Sequence, residues 1–566
     1  MIAKQFNELA DLLEIDGANP FRVRAYRTAA RNIASMTKQV YQLIREGADL
    51  TEIPGIGKDL AEKIHDIIKK GSLPLLKETT TKFPKGLTEL MKLAGLGPKR
   101  VKILHDQLKI KSLSDLKKAI GRGDLQKLPR FGTKLIDTIK EAIEHREEYK
   151  KTTRLVDAQA IGEQLVAYLK ESSSIEQVEI AGSFRRKKEV VGDLDVLVSA
   201  STGKKAIDHF LKFDLIDKIT AHGNTKAAIR LLSGLQVDLR VVPKKSFGAA
   251  LLYFTGSKAH NIALRKRAID RHLKLNEYGL WKNKTMVAST TERQVYRGLS
   301  LPYIEPELRE NQGEIEAAVN RELPQLITIS DMRGDLHAHT VETDGTESLT
   351  AMAKAALALG YEYLAITDHS KHLTVASGLN EKRLLKQIKE IDKLNGKLSG
   401  ITILKAIEVD ILENGELDLD DAVLKELDLT VCSIHSRFGL PKAKQTERII
   451  RAMDNKYFTI LGHPTGRLVN QRAAYQVDIE AIMKAAVERG CYLELNAQPE
   501  RLDLDDIHCR MAKDMGLKLA ISTDAHSTAS FAFMQSGINQ ARRGWIEKDD
   551  VINTRSLTKL RQLLKR

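Results

Sequence analysis

Gly192-Asp193-Leu194-Asp195-Val196-Leu197-Val198 sets two carboxylates two residues apart in a run that is otherwise apolar. Alternate residues of a strand share a face, so Asp193 and Asp195 point the same way. Two like charges on a half-buried face are costly unless a cation offsets them. Further on, Val237-Asp238-Leu239-Arg240-Val241-Val242 repeats the pattern with one carboxylate. Three convergent carboxylates suit two hard divalent ions, Mg²⁺ or Mn²⁺, held by oxygen. Upstream, Ala181-Gly182-Ser183-Phe184-Arg185-Arg186 follows a β-type run. Gly182 and Ser183 offer backbone N–H groups and a hydroxyl to a phosphate, and Arg186 offers a charged fork. The pattern points to nucleotidyl transfer, with Asp193, Asp195 and Asp238 as catalytic metal ligands. The bland alternative is a surface loop that happens to read Asp-x-Asp.

The flanking sequence builds outward from this site. A helix is expected over 158–170 and strands over 178–180, 194–198, 229–232 and 237–242, an α+β composition. Residues 1–150 read as helical, with Leu9, Leu12 and Leu13, then Ile64, Ile67 and Ile68, at helical spacing. From residue 333 short apolar runs at 363–366, 402–404, 429–434, 459–461, 492–495 and 519–521 alternate with helical segments. That alternation predicts a distorted (β/α) barrel. The expected fold is multidomain: all-α at the N-terminus, α+β in the middle, (β/α) at the C-terminus. The boundaries fall at 1–85, 86–150, 151–245 and 246–318, then a linker at 319–332 and the last domain at 333–566.

With 566 residues, 42% hydrophobic and 29% charged, the chain is neither a small module nor disordered. No apolar run reaches the ~18 residues of a membrane span, and the N-terminus lacks a signal pattern. Cys432, Cys491 and Cys509 are scattered without a CxxC, which fits a reducing cytosol.

The net charge of +15 is uneven. Residues 1–150 hold 29 basic and 20 acidic side chains, whereas residues 333–566 hold 33 of each. A basic front half suits a polyanion. An internal repeat lies there: Ile53-Pro54-Gly55-Ile56-Gly57-Lys58, Leu93-Ala94-Gly95-Leu96-Gly97-Pro98-Lys99, and a weaker Leu128-Pro129-Arg130-Phe131-Gly132-Thr133-Lys134. Each resembles a helix-hairpin-helix motif. The glycines allow a tight turn into a helix N-terminus that suits a phosphate oxygen. Gly55, Gly57, Lys58, Gly95, Gly97 and Lys99 are therefore candidate DNA contacts, independent of base identity.

Eight of the fifteen histidines lie in the neutral C-terminal part. His337, His339, Asp344, His369, Glu408, His435, His463, Asp524 and His526 mostly end apolar runs, where barrel strands converge. Imidazole and carboxylate together suit a cluster of two or three Mn²⁺ or Zn²⁺ ions. Arg437, Arg467 and Arg501 lie near these ligands as candidate phosphate contacts.

The middle segment resembles the nucleotidyltransferase superfamily. Leu252-Tyr253-Phe254-Thr255-Gly256-Ser257-Lys258-Ala259-His260-Asn261, Arg265 and Leu275-Asn276-Glu277-Tyr278-Gly279-Leu280 narrow this to a resemblance to family X DNA polymerases. That resemblance implies a palm and thumb. It implies a nucleotide site of Gly182, Ser183, Arg186, Gly192, Tyr253, Phe254, Gly256 and Asn261. It also implies that Tyr253, Phe254 and Gly256 exclude a 2′-hydroxyl, that Arg265 touches the templating strand, and that Arg154 aligns with a further triphosphate-binding arginine. Lys63 aligns with the family's Schiff-base lysine for 5′-deoxyribose-phosphate removal. The histidine pattern resembles the PHP (polymerase and histidinol phosphatase) domain, whose chemistry is metal-assisted phosphoester hydrolysis.

Together these resemblances imply a gap-filling repair polymerase acting on gapped or nicked DNA and dNTPs. They also imply 3′–5′ exonuclease, or more broadly 3′-end or abasic-site, processing. A monomer in the bacterial or archaeal cytosol beside the nucleoid is expected. Two other readings are a PHP domain that is mainly structural and a protein that only bridges DNA ends.

Overall fold

The computed structural model describes residues 2–35, 44, 48–52, 55–84, 86–91, 93, 95–129, 131–149 and 152–565. Ile53, Pro54, Ala94 and Arg130 of the repeats lie outside the described residues. The chain divides into two compact units, Met1–Glu148 with Asp344–Ser348, and Tyr149–Thr343 with Leu349–Arg566.

The first unit is helical as expected. Helices Ile2–Asp16, Pro20–Ser35, Lys58–Lys70, Pro98–Leu108 and Thr133–Tyr149 close over one apolar core that includes Phe6, Leu9, Ile64 and Leu104. Gly55 and Gly95 turn with φ of 76° and 85°, the left-handed region that glycine tolerates. A Cβ on Gly95 would also lie 2.7 Å from Leu135 Cδ1. Gly57 and Gly97 then cap the next helices with extended backbone and no side-chain acceptor. Leu60 N and Arg100 N donate to Gly57 O and Gly97 O, and Pro98 has no N–H, which leaves the N–H groups of Lys58, Asp59 and Lys99 without an acceptor inside their helices.

In the second unit, five strands run in the order Ile175–Ile180, Asp193–Ala200, Gln236–Val242, Lys226–Leu231, Ile216–His222. The central pair, Asp193–Ala200 and Gln236–Val242, is parallel, and its other neighbours are antiparallel. The edge strand Ile216–His222 was not expected. It is exposed along nearly its whole length, so no apolar alternation marks it. Helices Phe247–Thr255 and Lys258–Asp270 follow, with a three-stranded antiparallel sheet over Lys274–Asn276, Gly279–Lys282 and Thr285–Ala288.

The C-terminal part holds seven parallel strands in sequence order, from Gly334–Asp335 to Leu519–Ser522. Past the two outer strands a parallel bridge joins Ala338 to Ala525, where His339 N donates to Ala525 O at 2.8 Å. The sheet therefore nearly closes into a barrel, and its strands are buried on both faces as a parallel sheet demands. The segment expected as a linker is packed rather than free. Leu326 and Ile327 are buried, and Ile327 N donates to Ile546 O at 3.0 Å.

Candidate active sites

Register brings the palm carboxylates together. Asp195 sits directly opposite Asp238 on the parallel neighbour, and Asp193 lies one alternation away on the same face. Burial first, then the charges of Asp193 and Asp238, push Asp195 up to about 6. Burial and Asp238 also raise Asp193. Gly182, at φ 62°, explains its own identity: a Cβ there would lie 2.3 Å from Asp195 Oδ2. Ala181 N donates to Asp195 O at 2.7 Å, locking the Gly-Ser turn to strand Asp193–Ala200. A cavity of 350 Å³ opens beside the pair, lined by Asp195, Lys226, Gln236, Asp238, Arg240 and Phe254. Sequence reading missed Lys226, Gln236 and Arg240. Arg240 alternates with Asp238 on one strand face, so the same period-two argument reaches it.

Of the other residues expected at the nucleotide, Phe254 lines this cavity. Asn261 Nδ2 donates to Tyr253 O at 2.7 Å, Tyr253 meets Phe254 edge-on, and the Arg265 guanidinium lies 5.2 Å from the Tyr253 ring. Arg186 Nη1 donates to Thr255 O at 2.6 Å, across Gly256. A Cβ on Gly256 would lie 3.3 Å from that nitrogen. Gly192 directly precedes strand Asp193–Ala200, and Ser183 lies in the short helix Gly182–Arg185. Arg185 does not face nucleotide. It forms a two-pronged pair with Glu292 at 2.6 and 2.9 Å, and buried Arg309 Nη1 reaches the same carboxylate at 2.6 Å. His260 is likewise structural, buried between Glu314 Oε1 at 2.6 Å and Tyr296 Oη at 2.9 Å.

In the first unit, Lys58 and Lys99 occupy the first turns of their helices, behind Gly57 and Gly97. Lys63 pairs with Asp59 one turn earlier, and its Nζ lies 5.8 Å from the Tyr26 ring centre.

The histidine cluster forms at the strand C-termini. Glu408 is its centre: His369 Nδ1 lies 2.8 Å from Oε2, and His463 Nε2 and His435 Nε2 lie 3.0 and 3.3 Å from Oε1. Asp524 Oδ1 lies 3.1 Å from His339 Nε2 and 3.6 Å from His337 Nε2. Asp524 takes φ 51° and His463 φ 28°, backbone that side chains rarely adopt and that concentrates at functional sites. Three sets have their ligand atoms within 4.8 Å of one another: His339, Asp344, His369, His526; His337, His339, Asp524; and His369, Glu408, His435. His463 completes the second side of Glu408. Among the described residues the palm triad is not gathered that tightly.

The electrostatics suit cations. Burial pushes the Glu408 carboxyl up, yet His369, His435 and His337 hold it well below its usual range. Burial opposes the charge on His435, but Glu408 and Asp410 raise it to about 9. Divalent ions would satisfy the same carboxylates. His463 Nδ1 and Asp410 Oδ1 are buried without a hydrogen-bond partner, so the donor set fits a metal cluster.

A fourth acid, Glu494, was missed. Its Oε1 accepts from His337 Nδ1 at 2.7 Å and its Oε2 from His463 N at 2.7 Å. The signal was available: Tyr492-Leu493-Glu494-Leu495 places a lone carboxylate in an apolar strand, as Asp195 does.

Strand Gly334–Asp335 stops short of His337 and His339, and Ala338 between them forms a parallel bridge to Ala525. Arg467 is not poised for substrate. It pairs with Glu189 of the palm at 2.6 and 3.2 Å. Arg437 pairs with exposed Glu413 at 2.9 Å, whereas Arg501 Nε does lie 3.5 Å from Asp524 Oδ2. Arg154 pairs with Asp157 and with Glu500 of the C-terminal domain, at 2.8 and 3.1 Å.

Comparison with known proteins agrees with this layout. Family models match a helix-hairpin-helix domain at 1–73, a helix-hairpin-helix tandem at 87–145, the DNA polymerase beta palm at 146–265, its thumb at 250–310 and the PHP domain at 335–498. A DNA polymerase/3′-5′ exonuclease PolX of Bacillus subtilis (strain 168) is 37% identical, covering 100% of this chain and 99% of that protein. A probable phosphatase of Thermoanaerobacter sp. (strain X514) is 31% identical over 41% of this chain and 94% of its own. DNA polymerase lambda of Rattus norvegicus is 28% identical over 55% of this chain and 56% of its own.

Proposed function

This chain belongs to the PolX family of DNA polymerases with a C-terminal PHP domain, and on that premise we propose that it fills short gaps in DNA and trims 3′ ends at a second, separate centre. The observation that carries the reading is the direct register of Asp195 against Asp238 beside a cavity sized for a nucleotide. Asp193, Asp195 and Asp238 would hold Mg²⁺ or Mn²⁺, and the nine PHP ligands would hold Mn²⁺ or Zn²⁺. When bound, these divalent ions neutralise developing charge on phosphate oxygens and acidify the attacking hydroxyl or water.

The chain's own groups do the rest. Ser183, the Gly182 turn and Arg186 receive the triphosphate; Tyr253, Phe254 and Gly256 line the sugar; Asn261 and Arg265 face base and template. The glycine-capped helices at Lys58 and Lys99 hold DNA phosphates without reading bases. In the PHP centre, Glu494 fixes the His337 ring and Arg501 lies beside Asp524, placed to take a scissile phosphate. Lys63 is the candidate nucleophile for 5′-deoxyribose-phosphate removal. No helix among the described residues is long and apolar enough to cross a membrane. A cytosolic monomer is the state we expect.

Primer extension and degradation on a one-nucleotide gap, titrated with Mg²⁺ and Mn²⁺, tests the assignment. Asp238→Asn should abolish insertion and spare degradation; Asp524→Ala should do the reverse. Degradation that survives Asp524→Ala would place the nuclease elsewhere and leave the PHP domain as scaffold.

A further inference from the structure

The triphosphate side of the palm is tied to the PHP domain through one shared carboxylate. Arg186 Nε donates to Glu310 Oε1 at 2.9 Å. The same oxygen accepts from Arg543 Nη1 at 3.1 Å, and that nitrogen also donates to the main-chain oxygen of Arg186 at 2.9 Å. Arg543 ends helix Met534–Arg543 of the PHP domain, and its Nη2 pairs with Asp506 Oδ2 at 2.5 Å. The three side chains Arg186, Glu310 and Arg543 are 12%, 14% and 5% exposed, so solvent screens the chain of contacts only weakly. Burial pushes Glu310 up, but Arg186 and Arg543 hold it below the usual carboxylate range, so it stays charged between them.

Arg186 is therefore fixed from two directions. Thr255 O and Glu310 hold its guanidinium, and Arg543 holds its backbone and half of Glu310's charge. A planar guanidinium can reach three acceptors at once, which an ammonium cannot do with the same geometry. If Arg543 were removed, Glu310 would have Arg186 as its near counter-charge. An incoming triphosphate would then compete with a tighter internal pair for a less well-placed fork.

We propose that Arg543, a residue of the PHP domain, is a positioning residue of the polymerase, holding Glu310 and the Arg186 backbone so that Arg186 is aimed at the triphosphate. The nuclease domain thereby forms part of the nucleotide pocket. The inference rests on the reading of Arg186 as a triphosphate contact.

Insertion on a one-nucleotide gap by the full chain, titrated with dNTP, separates the cases. The variants are Arg543→Ala, Arg543→Lys, Asp506→Asn and Arg186→Ala, with degradation of single-stranded DNA read on the same preparations. Arg543→Ala should raise KM for dNTP on the order of 10-fold, with kcat within about twofold and degradation unchanged. Arg543→Lys should recover little, and Asp506→Asn should give a smaller rise in the same direction. If Arg186→Ala raises KM but the Arg543 and Asp506 variants do not, the relay is wrong and the Arg186 reading stands. If Arg186→Ala leaves KM unchanged, the Arg186 reading itself fails. Parallel loss of insertion and degradation in Arg543→Ala, with Arg543→Lys and Asp506→Asn at wild-type KM, would make Arg543 merely structural and overturn the proposal.

Discussion

Arg467, four residues past the candidate PHP ligand His463, grips Glu189, four residues before the candidate palm ligand Asp193, with both terminal guanidinium nitrogens. One ion pair thus bridges the segments that build two chemically distinct centres. Burial opposes the Arg467 charge, but Glu189 more than offsets it. A contact with substrate phosphate would predict a nuclease defect alone on Arg467→Ala. The observed pair predicts instead that Arg467→Ala and Glu189→Ala each destabilise the fold, and that the double variant loses less than their sum by about 1–3 kcal/mol. Denaturant unfolding of the four proteins measures the coupling; strict additivity would remove the bridge from the list of stabilising contacts.

Glu494 should govern metal affinity without touching metal. Its Oε1 accepts from His337 Nδ1, and its Oε2 accepts from the His463 backbone and from Asn496 Nδ2. Glutamine offers one acceptor and one donor, so either the ring or the backbone loses its partner in a site with no water-exposed alternative. Glu494→Gln should weaken Mn²⁺ binding by about 10–100-fold while leaving the fold intact. Calorimetric metal titration reads this directly, with the Mn²⁺ dependence of degradation as its kinetic counterpart. Unchanged affinity would mean that packing alone orients His337.

Gly182 is demanded twice over, by φ 62° and by the 2.3 Å that would separate a Cβ from Asp195 Oδ2. Gly182→Ala must displace the Asp195 carboxylate or the turn that supports Ser183 and Arg186. Either shift, on the order of 1 Å, should reduce kcat for insertion by about 100-fold. Degradation should be spared, because no PHP ligand depends on this turn. An alanine variant with normal insertion would show that Asp195 has room to move.

The candidate site residues were readable because chemistry leaves a local trace: a carboxylate or imidazole placed where a strand should be apolar. Asp195, Asp238 and Glu408 all announce themselves that way. What stayed hidden depends on contacts far apart in the chain. Nothing near Arg467 in sequence signals Glu189, and nothing near Arg543 signals Glu310. A half-buried arginine next to a metal motif reads as a phosphate contact until its distant partner is placed. The edge strand Ile216–His222 escaped for the opposite reason: hydrogen bonds to one neighbour, rather than an apolar face, hold it in the sheet.

Glu292 offers a test that depends on pH. Its carboxylate lies between Arg185 and Arg309, where the palm's Gly-Ser turn meets the thumb. Burial drives its pKa up, but Arg309 and Arg185 outweigh burial and bring it down to about 2, against 4.5 for an ordinary glutamate. A carboxyl with a depressed folded pKa contributes stability that is fully present above about pH 4.5 and is lost as pH falls toward 2. The shift corresponds to on the order of 3 kcal/mol. Glu292→Gln leaves two guanidiniums buried without their counter-charge, so it should cost about 3–5 kcal/mol at pH 7. Because the wild type gives up its advantage in acid and the variant has none to lose, the gap between them should narrow below pH 4.5. Unfolding free energies measured from pH 7 down to pH 3 follow that gap. A gap that stays constant over this range would mean that the cost of the substitution comes from packing and hydrogen bonding, and that the charge on Glu292 does not hold thumb to palm.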